Sequence, residues 1–208
     1  MDGIESVAVT ALDQLANLYA RPLERVLRKE IDHVDEVGRA FIAASPFLVL
    51  ATGSNQGLDC SPKGDKPGFV QVGDDGRTVL IPDRRGNNRI DSIKNLVEDP
   101  RVALIFFVPG ANETYRVNGR ARVSTDPALK QRFAVDGKEP TTVIVVAVEQ
   151  AFQHCPKALV RSNLWKVGGG ERPHGVPTLG DFAAARTPGI DSSAYDADYA
   201  RRMPSELY

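Results

Sequence analysis

Short apolar runs recur from Phe47 to Phe152, each closed by turn residues, and this recurrence most restricts the fold. Phe47-Leu48-Val49-Leu50-Ala51-Thr52 opens the series. Gly53 to Gly57 then turns the chain into Leu58-Asp59-Cys60-Ser61, as in a hairpin. Phe69-Val70-Gln71-Val72 and Arg77–Ile81 flank the tight turn Gly73-Asp74-Asp75-Gly76. Val102 to Val108 is continuously apolar and is expected to be covered on both faces. Glu113 to Val123 alternates polar and apolar residues, and Thr141–Phe152 is rich in β-branched residues. Six or seven hairpin-linked strands with interspersed helices predict a mainly β fold, a small antiparallel barrel with flanking helices. No Gly-x-Gly-x-x-Gly follows a strand, which argues against a dinucleotide-binding parallel sheet.

Helical spacing frames this β region. Residues 5–30 place Val9, Leu12, Leu15, Tyr19, Leu23 and Val26 on one stripe, with a break near Pro22. Asp32 is expected to cap a second helix that ends at Ser45-Pro46 and buries Val34, Val37, Ala40, Phe41 and Ile42. A third helix is expected over about 88–97, stopped by Asp99-Pro100, and a short one after Asp126-Pro127. The helix that begins around His154-Cys155-Pro156-Lys157 runs to about Ser162. Beyond Trp165 the texture changes to glycine and proline, with short helices expected at Leu179–Arg186 and Ser193–Arg201. The chain therefore divides into an N-terminal helical extension (1–31), a central domain (32–167) and a C-terminal tail (168–208).

Composition excludes some partners. The 208 residues carry a net charge of -1, which speaks against a general nucleic-acid or membrane-surface binder. No apolar run approaches a membrane span. Cys60 and Cys155 lack metal-ligand spacing, as do His33, His154 and His174, so no metal site is expected. A reduced, cytoplasmic setting is the simplest reading. There is no Gly-x-Ser-x-Gly elbow, and His154 and Cys155 point opposite ways on a strand end.

The chemistry concentrates in Ile81-Pro82-Asp83-Arg84-Arg85-Gly86-Asn87-Asn88-Arg89-Ile90. A strand enters a turn with three arginines and leaves into a helix. Backbone N–H groups at a helix start, the helix dipole and guanidinium forks together suit a phosphate. Three other segments carry polar groups at strand or helix ends. Ser61-Pro62-Lys63-Gly64-Asp65 reads as a loop whose lysine can reach an anionic heterocycle. On the Glu113–Val123 strand, Thr114, Arg116, Asn118 and Arg120 share one face. Lys157 and Arg161 stand four apart on a helix that runs toward Trp165, the only tryptophan.

These segments in this order, from about Asp32 to Trp165, resemble the FMN-binding split-barrel superfamily related to pyridoxamine 5′-phosphate oxidase. The resemblance implies a six-stranded antiparallel split barrel, a homodimer with FMN at the subunit interface, and a small-molecule substrate. It implies Ser61 and Lys63 at the isoalloxazine or ribityl portion, and Asp83, Arg84, Asn88 and Arg89 at or near the phosphate. Glu113, Thr114 and Arg116 would come from a rim strand, with His154, Lys157, Arg161 and Trp165 from the partner subunit or over the ring. The implied activity is an FMN-dependent oxidoreductase, with its catalytic residues unassigned. A non-catalytic flavin or haem binder and a deazaflavin-dependent reductase are the alternatives on the same fold. The C-terminus departs from the pyridoxamine-phosphate oxidase pattern, ending in Tyr199-Ala200-Arg201-Arg202-Met203-Pro204 and its successors, so a different substrate pocket is expected.

Overall fold

The computed structural model describes residues 8–166 and 172–207. Seven antiparallel strands form one sheet: β1 (Phe47–Ser54), β2 (Gly57–Gly64), β3 (Gln71–Val72), β4 (Thr78–Asp83), β5 (Arg101–Phe107), β6 (Thr114–Ser124) and β7 (Thr142–His154). Their spatial order is β2-β1-β5-β6-β7-β4-β3. The expected antiparallel sheet with flanking helices is present. It has seven strands rather than six, and no backbone ladder joins β2 to the β4–β3 edge to close it.

The sheet curls, so one face forms the core. Leu48 and Leu50, and Leu104 and Phe106, are buried at the two-residue period of a pleated strand, with Val117; on β7, Val146 and Ala151 reach the same core from either side of the register shift opposite Asn118 and Gly119. The opposite face of β5 is not covered as expected. Ala103, Ile105 and Phe107 alternate with the core residues and remain half-exposed. An apolar run signals burial on both faces only when a second layer is supplied, and no described element of the chain supplies one here.

Eight helices are described. The N-terminal stripe does not form one helix: α1 (Leu12–Leu18) and α2 (Glu24–Leu27) are separated by extended backbone around Pro22, and Leu12, Leu18, Leu23 and Leu27 face solvent. Residues 1–7, part of the helix expected there, lie outside the described residues. In α3 (Glu36–Ala44) the cap is Asp35 rather than Asp32. Its carboxylate accepts from Gly38 N at 2.7 Å, while Asp32 pairs with Arg77. Ile42 and the preceding Val34 are buried as expected; Val37 is exposed. The remaining helices are α4 (Asp91–Glu98), α5 (Pro127–Arg132), α6 (Lys157–Ser162), α7 (Leu179–Arg186) and α8 (Ser192–Glu206). The last continues beyond the expected Arg201 and carries Pro204 inside it. No helix among the described residues is long and apolar enough to cross a membrane.

Arg39 of α3 ties this helix to the β3–β4 turn. Its guanidinium donates to the carbonyls of Val72 (2.6 Å), Gly73 (2.7 Å) and Asp74 (3.2 Å). Arg39→Met keeps the aliphatic stem and removes all of these donors. A hydrogen bond to a charged group is worth roughly 1.5–3 kcal/mol, and bonds sharing one side chain are not additive, so the expected loss is about 2 kcal/mol in chemical denaturation. An unchanged midpoint would show that water replaces the guanidinium at no cost.

Candidate anion-binding cleft

Two local features of the sheet build the site. The first is the length of β2. Pro62 does not end it: β2 pairs only with β1, and an edge strand tolerates a missing N–H. The segment read as a loop from Ser61 to Asp65 is therefore strand through Gly64. Asp59, Ser61 and Lys63, two residues apart, all point to the same side. The second feature is β4, which continues through Pro82 to Asp83 opposite Val143 and Thr142. This strand extends beyond the end of β3, which pairs only with Val79 and Leu80.

The curl of the sheet brings β2 toward the end of β4, and side chains rather than backbone bridge the gap. Lys63 Nζ lies 2.8 Å from Asp83 Oδ1. Just beyond the two strand ends, Arg84 Nε lies 2.7 Å from Asp65 Oδ2, and Arg84 Nη1 donates to Phe133 O at 2.6 Å. The Asp65 side chain is only 4% exposed and that of Arg84 16%.

Over this seam sits a cleft of about 480 Å³, walled by β2, the 82–87 turn and the start of α4. Such a volume falls in the usual range of small-molecule sites, roughly 300–1,000 Å³. Helix α4 begins three residues later than expected, after Asn88 (φ 60°) and Ile90 (φ 49°) adopt left-handed backbone. Ile90 is the N-cap and offers no side-chain acceptor. The first-turn N–H groups of α4 thus lack a side-chain cap at the cleft edge, where a helix end attracts anions. Leu96 buries the other side of α4 in the core, and Asn95 Nδ2 donates to Thr52 Oγ1 at 3.1 Å.

The cleft's wall from β2 is rich in hydroxyls. Ser61 Oγ donates to Asp59 Oδ2 at 2.7 Å, and Ser92 Oγ lies 2.8 Å from both that oxygen and Ser61 Oγ. Hydrogen bonds from Ser61, then from Ser92, hold the Asp59 carboxyl below its usual range. Arg89 is 79% exposed and pairs with Asp91. Arg85 makes no hydrogen bond or ion pair with any described residue, and it lines this cleft and both hollows beside it.

Of the residues implied by the resemblance, Ser61, Lys63, Asp83, Arg84 and Arg89 line the cleft. Asn88 lines the two neighbouring hollows instead. Thr114, Arg116, Lys157, Arg161 and Trp165 lie apart from it. Thr114 is buried opposite Phe107 and His154; Lys157 and Arg161 are exposed on α6. Trp165 Nε1 donates to Ala111 O at 2.6 Å. Arg116 stands over the Phe152 ring at 5.2 Å, with Lys29 also over that ring at 5.4 Å. Burial, then the charges of Lys29 and Arg116, push the pKa of the His154 imidazole down, and its Nδ1 is buried without a hydrogen-bond partner among the described residues. Asp59, Ser92 and Arg85 were not singled out from the sequence. Continuing the two-residue alternation through Pro62 reveals Asp59. Nothing in the sequence separates Arg85 from Arg84, because the partners of Arg84 lie 19 and 49 residues away. Among the described residues no group of His, Cys, Asp and Glu is placed to hold a metal.

A curled antiparallel sheet carries, in its open seam, an arginine-walled cleft of the size that small-molecule sites have. The family model for pyridoxamine 5′-phosphate oxidase matches residues 34–155, more than half of the chain, and the protein belongs to that family. Solved structures with similar chain paths include HupZ from Group A Streptococcus (20% identity, 58% of this chain and 99% of that one, TM-score 0.48). A Lactobacillus delbrueckii protein of the pyridoxamine 5′-phosphate oxidase type shares 18% identity over 59% of this chain and 95% of its own, with TM-score 0.47. General stress protein 26 from Bacillus anthracis shares 17% over 55% and 88%, with TM-score 0.41. Likeness at this level adds nothing to the family assignment. The comparison with curated proteins finds no match.

Proposed function

We propose that the chain binds FMN in the cleft under the arginine turn and acts, as a homodimer, as a flavin-dependent oxidoreductase on a small molecule. The observation that carries this reading is the pairing of an uncapped helix start with Arg85, a cation that has no partner among the described residues. The cleft suits FMN in size, charge and donors. Arg85, Arg89 and the first-turn N–H groups of α4 would hold the phosphate. Asp59, Ser61 and Ser92 form a wall whose acceptors and hydroxyls match a polyol such as ribityl. Lys63, oriented by Asp83, would place positive charge beside the ring.

When bound, FMN supplies the redox chemistry of its isoalloxazine ring. The residues of this chain bind it, orient it and set the charge around it. The second cluster, Arg116, Phe152, Lys29 and His154, belongs to the outer face of the sheet or its edge. The register places Arg116 beside Ile105 and Phe152, and Phe107 beside Phe47 on that same face. The half-exposed Val49, Ile105 and Phe107, with Phe47, make it an apolar surface of the kind that marks an interface.

Titration of purified protein with FMN, read by quenching of flavin fluorescence, tests the proposal alongside the mass in solution. Saturable binding at one FMN per protomer of a dimer is the expected result. No binding at micromolar FMN would sink it. Binding of a deazaflavin in place of FMN would move the reading to a deazaflavin-dependent reductase. Binding without turnover of nicotinamide donors would make the protein a carrier.

A further inference from the structure

The hollow does not stop at the arginine turn. On the turn's other side lies a second space of about 610 Å³, between the turn and the C-terminal helix α8. The two share Gly64, Arg84, Arg85, Gly86 and Asn87, so Arg85 stands at their junction. One wall of the second space is polar, with Lys66, Asn87, Asn88 and the Asp65 carboxylate that Arg84 pairs with. The opposite wall is one face of α8 and its C-cap, where Tyr199, Met203 and Leu207 recur at helical spacing and are 39%, 37% and 53% exposed, beside the Glu206 carboxylate that Arg202 pairs with.

Helix α8 is held in a tight hairpin with α7. Thr178 and Asp181 cap α7 reciprocally, Gly180 N donates to Asp196 Oδ1 at 2.7 Å, and Ser192 Oγ donates to Asp181 Oδ1 at 2.6 Å. A Cβ on Gly180 would lie 2.1 Å from Ser192 O, so the helices meet at van der Waals distance. These contacts fix the N-terminal end of α8 against α7.

We propose that this second space takes the adenosine of a dinucleotide whose pyrophosphate lies between Arg85 and Lys66. The inference rests on the flavin reading in one respect, the phosphate position at Arg85. A ligand that ends at that phosphate fills only the first cleft; one that continues through a second phosphate meets Lys66, a phenol ring, a thioether and two side-chain amides. Aromatic faces and apolar edges stack a purine, and the amides satisfy its polar edge. The shared chemistry is an adenylyl group joined through pyrophosphate. It can belong to a flavin dinucleotide as cofactor or to a nicotinamide dinucleotide as electron donor.

ADP, whose diphosphate spans Arg85 and Lys66 and whose adenosine enters the second space, is the probe, read by calorimetry on the full chain without FMN. ADP is expected to bind wild type, and Tyr199→Ala and Lys66→Ala are each expected to weaken it about tenfold, without altering FMN affinity or the helical circular dichroism. FAD binding at least tenfold tighter than FMN assigns the adenosine to the cofactor. Equal flavin affinities, with ADP competing against NADH, assign it to the donor. Absence of ADP binding at millimolar concentration, or equal binding to both variants and wild type, overturns the inference while leaving FMN binding to be judged by its own titration.

Discussion

Gly119→Ala is expected to destabilise the protein by about 3 kcal/mol or more, at the upper end of the range for overpacking a core. Gly119 is buried on β6, beside the register shift between Asn118 and Gly119 where that strand pairs with β7. A Cβ there would stand 2.0 Å from Ala147 O and 3.1 Å from Ala147 C. The obstacle is backbone in the middle of the sheet, so no side chain can turn aside. A β-bulge admits a residue only if its neighbours leave room, and here they do not. For a chain of this length each kcal/mol shifts the melting temperature by roughly 2–4 °C, so a fall of roughly 6–12 °C is expected in calorimetry. Arg120→Ala, next along the strand and exposed, should change little. Equal melting temperatures for wild type and Gly119→Ala would mean that the β6–β7 ladder yields far more easily than its geometry indicates.

The neighbouring arginines Arg84 and Arg85 are expected to fail in different ways. Arg84→Ala removes a guanidinium from Asp65, a carboxylate almost entirely withdrawn from water. Taking one partner from such a pair costs roughly 3–5 kcal/mol, and remaining contacts of Asp65 place the expected loss near the lower figure. The effect belongs on stability, because this pair and Lys63–Asp83 hold the β2 side of the cleft against the β4 side. Arg85→Ala should leave the melting temperature unchanged, since no described residue depends on it. It should instead raise the dissociation constant of FMN by roughly 10- to 100-fold, the equivalent of one charge-assisted bond to phosphate. Fluorescence titration and thermal unfolding on both variants separate the two roles. Loss of FMN affinity in Arg84→Ala alone, with Arg85→Ala unaffected, would place the phosphate on the other guanidinium.

The contrast between those two residues shows where local sequence stops being informative. Hairpin spacing, alternation along β6 and the β-branched run of β7 were legible because each depends on periods of two within a single strand. Proline misled twice, at Pro62 and Pro82, because its penalty in a sheet depends on whether a neighbouring strand claims its missing N–H. Both prolines lie where no neighbour does, at the sheet edge or beyond the end of β3, and strand order alone decides that. The start of α4 was misplaced because two left-handed residues delay it, a conformation that Ile90 does not advertise.

What the sequence by itself determined was the menu of elements and the presence of a turn with three arginines between a strand and a helix. Those follow from side-chain period, turn chemistry and charge, all of which act over a few residues. Tertiary structure decided that Arg84 is tied into the seam while Arg85 makes no hydrogen bond or ion pair with a described residue. It also decided that Asp59 and Ser92, far apart in the chain, share hydrogen bonds, and that the C-terminal helix forms the far wall of a second space. Each of these depends on the curl of the sheet, a sum of small twists over seven strands that no short stretch of residues contains.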